Sequence, residues 1–128
     1  MKLRWFVLSN QNYKNLVVWQ QAMDLAVETY RLIKFLPESE KNTLSDQMRR
    51  TSIDIPAKIA EGHEVVYEED CAECLSLAHS SQCELEMQII LCIRLGYFSD
   101  YEAKAALNLC REISKKLVSI MEELEDDE

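Results

Sequence analysis

Glycine and proline are scarce, with two of each in 128 residues. A β-sandwich, a barrel or a doubly wound α/β sheet of this length needs many tight turns, and those two residues supply much of the turn chemistry. Four helices need only three connections. The lack of glycine also excludes the phosphate-cradling loops of nucleotide-binding folds. No stretch approaches the roughly 20 apolar residues of a membrane span. Histidine occurs twice, and no Glu has a His three residues after it, so the paired Glu-x-x-His ligands of a di-iron bundle are missing.

No secretion signal is expected either. Trp5–Leu8 follows Lys2 and Arg4, but the run is short and has no small-residue cleavage site after it. A cytoplasmic location is expected, with Trp5–Leu8 packed against something, another subunit included. Five cysteines, an odd number, then read as reduced thiols rather than a disulfide framework.

What the chain does have is apolar residues, 48% of the total, enough for one core in one domain. Its net charge of −9 is concentrated at the C-terminus, where Glu122, Glu123, Glu125, Asp126, Asp127 and Glu128 occur without a base. Such a run reads first as a frayed, solvated end and second as an acidic docking tail. The chain divides into an N-terminal extension (1–13), a helical domain (14–124) and an acidic tail (125–128).

Four segments carry helical periodicity. The first spans about 16–36, with Asn15 as its cap and Pro37 as its stop. Trp19, Met23, Ala26, Tyr30 and Ile33 form one apolar stripe; Val18, Leu25, Leu32 and Leu36 form another, so two packing neighbours are expected. The second spans about 43–62, with Thr43 and Asp46 as a capping pair and Gly62 at its end. Its apolar face, Leu44, Met48, Ile55 and Ile59, continues in phase through Pro56, which predicts a kink rather than a break. The third spans about 68–95 and ends at Gly96. Cys71, Cys74, Leu75, Ala78, Leu85, Ile89, Cys92 and Ile93 share one arc, whereas Met87, Leu91 and Leu95 lie nearly opposite, with Leu77 beside them. One bundle core cannot use both arcs, so the second predicts a partner surface. The fourth spans about 100–124 behind Ser99 as N-cap, with one clean apolar face. Short connections predict an antiparallel, up-down-up-down four-helix bundle, an all-α fold.

Candidate chemistry is thin. His79 and Cys83 are one helical turn apart, but a regular helix has no free mid-course N–H groups to hold an oxyanion. Cys71 and Cys74, with His63 or His79, form only half of a structural zinc motif, and both cysteines fall on the core stripe. Arg49 and Arg50, with Lys58 and Lys34 nearby, form a small basic patch for nucleic acid, but Asp46 and Asp54 are placed to pair with the arginines. No catalysis, cofactor, metal or small-molecule substrate is expected.

The run from Gln47 to Gly62 (Gln47, Arg49, Arg50, Ile55, Pro56, Ile59, Ala60, Glu61 and Gly62) resembles the signature of the 23S rRNA intervening-sequence proteins, also called the four-helix-bundle protein family. Val18-Trp19-Gln20 is similar to that family's opening, Glu84-Leu85-Glu86-Met87-Gln88 to its next motif, and Arg94-Leu95-Gly96-Tyr97 to its last. The resemblance covers about 16–124. It implies an antiparallel bundle that assembles with itself as a ring, typically a pentamer. A related branch, the accessory variability determinants of diversity-generating retroelements, implies nucleic acid and a reverse transcriptase as further partners. Lys58 stands where the family usually has Asn, and Asp54 where Ser is common. The stretch 63–67 replaces one that is often Gly-Ser and basic, and the acidic chain differs from the basic nucleic-acid-binding branch. On this reading, Val18, Leu25, Leu32, Leu77, Met87, Leu91 and Leu95 form the intersubunit surface. Arg49, Arg50 and Lys58 are the residues available to RNA.

Overall fold

The three- and four-residue spacing of apolar side chains becomes four α-helices: α1 (Val17–Ile33), α2 (Leu44–Glu64), α3 (Glu68–Arg94) and α4 (Asp100–Asp126). A computed structural model describes residues 12–65 and 67–126. The packing expected of Trp5–Leu8 and the last two acids of the tail lie outside these residues.

Each helix packs on its neighbours in a closed square. α1 lies between α2 and α4, and α3 lies between the same two, with α2 against α3 as the most extensive contact. This is an up-down-up-down four-helix bundle. The centre is fully buried Leu25, Met48, Ile55, Ile59, Leu75, Leu85, Ile89, Ile113 and Leu117, drawn from all four helices. Burying each such side chain stabilises the fold by about 1.5–3 kcal/mol before entropy is counted.

Helix ends depart from expectation where tertiary partners intervene. Asn15 does not cap α1; Leu16 takes that position without a side-chain bond, and a 3₁₀ turn over Tyr13–Asn15 precedes it. Thr43 does not cap α2 with its side chain. Its hydroxyl donates instead to Glu40 Oε1 at 2.7 Å. Ser99 does cap α4, and reciprocally: Glu102 N–H donates to Ser99 Oγ at 3.1 Å while Ser99 N–H donates to Glu102 Oε1 at 2.9 Å. α2 runs without interruption through buried Pro56.

The two glycines do different jobs. Gly96 has φ +81°, and the bonds from Gly96 N–H to Ile93 O and Tyr97 N–H to Cys92 O close α3 with a Schellman motif. Gly62, expected to end α2, lies inside it. A Cβ there would meet Cys74 Cβ at 3.0 Å, so Gly62 is the point of close approach between α2 and α3. α4 continues to Asp126, so Glu122, Glu123 and Glu125 belong to its last turns. They lie at the negative end of the helix dipole, and the last turn of the helix carries no basic residue of its own.

Candidate interaction surface

Burial sorts the apolar residues that were expected to meet another chain. Val18, Leu25 and Leu32 are 4%, 0% and 3% exposed: they form α1's contribution to the protein's own core. α1 carries two apolar arcs, and the one assigned to a partner is the one that faces inward. The outward arc of α1 holds Val17, Met23, Val27 and Tyr30. On α3 the assignment of faces agrees with the sequence. Leu77, Met87, Leu91 and Leu95 are 45%, 55%, 40% and 50% exposed, opposite the core arc of Leu75, Ala78, Leu85 and Ile89. Ile90, also exposed, widens that stripe, and sequence phase alone had not singled it out.

The basic residues are mostly committed elsewhere. Arg50 Nε donates to Asp46 Oδ2 at 3.0 Å. Lys58 Nζ lies 3.2 Å from Glu61 Oε2, whose hydrogen bond and charge hold the ammonium above its ordinary pKa. Asp54 accepts from Ser81 Oγ at 2.7 Å, tying α2 to α3, instead of facing an arginine. Arg49 is half-buried. The patch therefore does not present Arg49, Arg50 and Lys58 as three open cations.

The catalytic and metal candidates separate in space or in role. His79 Nε2 lies 3.1 Å from Ser114 Oγ on α4, a bridge between helices. The exposed Cys83 instead has its Sγ 3.7 Å from the neighbouring Gln82 Oε1. Cys71 and Cys74 are buried against the α2–α3 contact. Burial pushes the thiols of Cys92 and Cys110 up to about 11 and about 12, far from the thiolate form a nucleophile or ligand needs. Among the described residues no three His, Cys, Asp or Glu side chains cluster as a metal site. No helix among them is long and apolar enough to cross a membrane.

The most motif-rich positions are largely architectural. Ile55 and Ile59 are fully buried, and Pro56 sits beside them. Half-buried Ala60 precedes the close approach at Gly62. Trp19 packs edge-on against Tyr13, with ring centres 5.3 Å apart. Gln47 is exposed, and its carbonyl accepts from Thr51 Oγ1 at 2.8 Å. Leu85 is core, Glu84 is exposed, and Glu86 accepts from buried Gln82 at 3.1 Å. Tyr97, after the turn at Gly96, reaches Glu40.

A helical sequence with these motif residues as its framework matches one family profile, and it does so over residues 14–119. The chain belongs to the 23S rRNA-intervening sequence protein family. It is also similar to a solved structure from Bacteroides thetaiotaomicron, a protein with unknown function from the S23 ribosomal protein family. The two share 30% identity with a TM-score of 0.75, over 82% of this chain and 98% of that one. No curated protein matches the sequence.

Proposed function

We propose that the protein is a non-enzymatic, self-assembling scaffold, a ring of identical bundles acting through protein or ribonucleoprotein contacts. The observation that carries this reading is the apolar stripe Leu77, Met87, Ile90, Leu91 and Leu95 on the outward face of α3. Several large apolar side chains exposed along one helix face mark a contact site more often than a bare surface.

The placement of the helices favours a ring. α1 and α3 occupy opposite corners of the square, since each packs on α2 and α4. Their outward faces therefore point away from one another. One copy's α3 stripe meeting the next copy's Val17, Met23 and Val27 is a head-to-tail contact, and such a contact closes into a ring when its rotation divides the circle. The pentamer implied by the family resemblance is one such closure. The RNA-binding alternative, with or without a reverse transcriptase, has less support, because Arg50 and Lys58 are already satisfied by Asp46 and Glu61.

Light scattering across a size-exclusion peak tests the reading. The expected mass is five times the 14.9 kDa chain, with a protein-like ratio of absorbance at 260 and 280 nm. Leu91→Glu places unpaired charge in the contact and is expected to lower the mass to one chain with unchanged helicity. A monomeric wild type removes the ring, and a nucleic-acid-like absorbance ratio favours the RNA reading.

A further inference from the structure

The connection around Pro37 brings the end of α1 and the first two turns of α2 together around a cleft of about 360 Å³. That is within the range of small-ligand sites, roughly 300–1,000 Å³. Tyr30, Ile33, Leu36 and Pro37 supply apolar wall, while Lys34, Lys41 and Arg49 supply three cations against one carboxylate, Glu38. Glu38 lies 3.8 Å from Lys41 with both side chains well exposed, a weak pairing. Lys34 and Arg49 have no acidic partner among the described residues. On a chain of net charge −9, converging cations without counter-charges are out of keeping with the rest of the surface.

A second observation is independent of charge. Ser45 lines the cleft; the residue is 3% exposed, but its hydroxyl is not among the buried side-chain atoms left without a partner, so it is a hydroxyl the cleft can reach. Ser45 also lies in the first turn of α2, whose N-terminal dipole adds positive potential at the same place. Thr43, the residue that would close this end with its side chain, turns to Glu40.

We propose that this cleft binds a small organic phosphate. Lys34, Lys41, Arg49 and the Ser45 hydroxyl hold the phosphate, and Tyr30, Ile33 and Leu36 receive the apolar body. A dianion matches the two unpaired cations better than a carboxylate does, and the guanidinium of Arg49 offers the planar donor pair suited to phosphate oxygens.

Calorimetric titration of the full chain with phenyl phosphate tests this, with inorganic phosphate and phenol as the two halves of the probe. Phenyl phosphate is expected to bind more tightly than inorganic phosphate, and phenol is expected to give no heat. Arg49→Met and Lys34→Met are each expected to weaken binding about tenfold or more, the loss of one charge-assisted hydrogen bond. Arg50→Met, whose guanidinium is held by Asp46, is expected to leave binding unchanged. Should Arg49→Met fail to fold, the exposed Lys34 carries the comparison. No heat from phenyl phosphate overturns the proposal, and so does binding that survives the substitutions. Binding of an RNA oligonucleotide without binding of phenyl phosphate overturns it as well. The readout is ligand heat, not chain mass, so its failure leaves the scaffold reading standing.

Discussion

The Tyr97 hydroxyl donates to Glu40 Oε2 at 2.7 Å, joining the turn after α3 to the connection between α1 and α2 across 57 positions of sequence. Thr43 Oγ1 donates to the other oxygen of the same carboxylate. Phe35 and Phe98 meet edge-to-face beside this junction, with ring centres 6.3 Å apart. One end of the bundle is thus pinned by a carboxylate with two side-chain donors.

That junction predicts a pH signature. Hydrogen bonds from Thr43 and Tyr97 lower the Glu40 pKa below 4.5, so its contribution is complete above 4.5 and disappears as pH falls through the folded value. Donating to Glu40 raises the Tyr97 pKa above 10, so its contribution holds below 10 and disappears as pH rises through the folded value. Tyr97→Phe is expected to lower the melting temperature by a few degrees at neutral pH. The difference from wild type should shrink in acid below the ordinary carboxyl range, as thermal denaturation followed by circular dichroism across pH will show.

Gly62→Ala tests the close approach of α2 and α3. The new Cβ, 3.0 Å from Cys74 Cβ, has no flexible side-chain end to displace. Overpacking costs about 1–3 kcal/mol, and the better helix propensity of Ala returns at most about 1 kcal/mol. A net loss on the order of 1 kcal/mol is expected in urea unfolding. Adding Cys74→Gly should relieve the contact while paying its own helix cost, leaving the pair coupled rather than additive.

Gln88 is 2% exposed, and its Oε1 has no hydrogen-bond partner among the described residues; its Nε2 reaches Thr51 Oγ1 at a long 3.4 Å. An unsatisfied buried acceptor costs about 1–3 kcal/mol. Gln88→Met keeps the length, removes the amide, and leaves Thr51 its bond to the Gln47 carbonyl. The variant is expected to be as stable as wild type or more stable by about 1 kcal/mol in chemical denaturation. A clear destabilisation would show that the amide has a partner in solution.

Thiol reactivity should divide along burial. Cys83 is exposed, while Cys71, Cys74, Cys92 and Cys110 are buried, the last two with thiols pushed up to about 11 and about 12. Under native conditions at neutral pH, iodoacetamide is expected to add rapidly once per chain, at Cys83. Mass spectrometry after brief labelling checks this, and rapid labelling at Cys92 or Cys110 would contradict the packing.

Most of the fold was legible because helical periodicity is a local property. Leu44, Met48, Ile55 and Ile59 keep phase through Pro56, and α2 is continuous there. Leu77, Met87, Leu91 and Leu95 stood off the core arc of α3, and they are exposed. Phase without a neighbour was not enough on α1, where two apolar arcs compete. The choice fell to packing: Val18, Leu25 and Leu32 turn inward because α2 and α4 cover that side.

The sequence by itself determined that this chain is all-helical, where each helix runs, and which face of α3 and α4 is buried, because residue spacing sets a helix's apolar phase. Its motif residues also carried the family resemblance. Only the tertiary structure decided what those residues meet. Gly62 became a packing point because Cys74 lies beside it, and Thr43 gave up its cap because Glu40 is within reach. Arg50 and Lys58 lost their openness to Asp46 and Glu61, three or four residues away. Lys34, Lys41, Ser45 and Arg49 became one cleft because the turn at Pro37 folds two helix ends together. Spacing along a chain encodes direction from a helix axis, whereas a contact depends on the partner that folding places there.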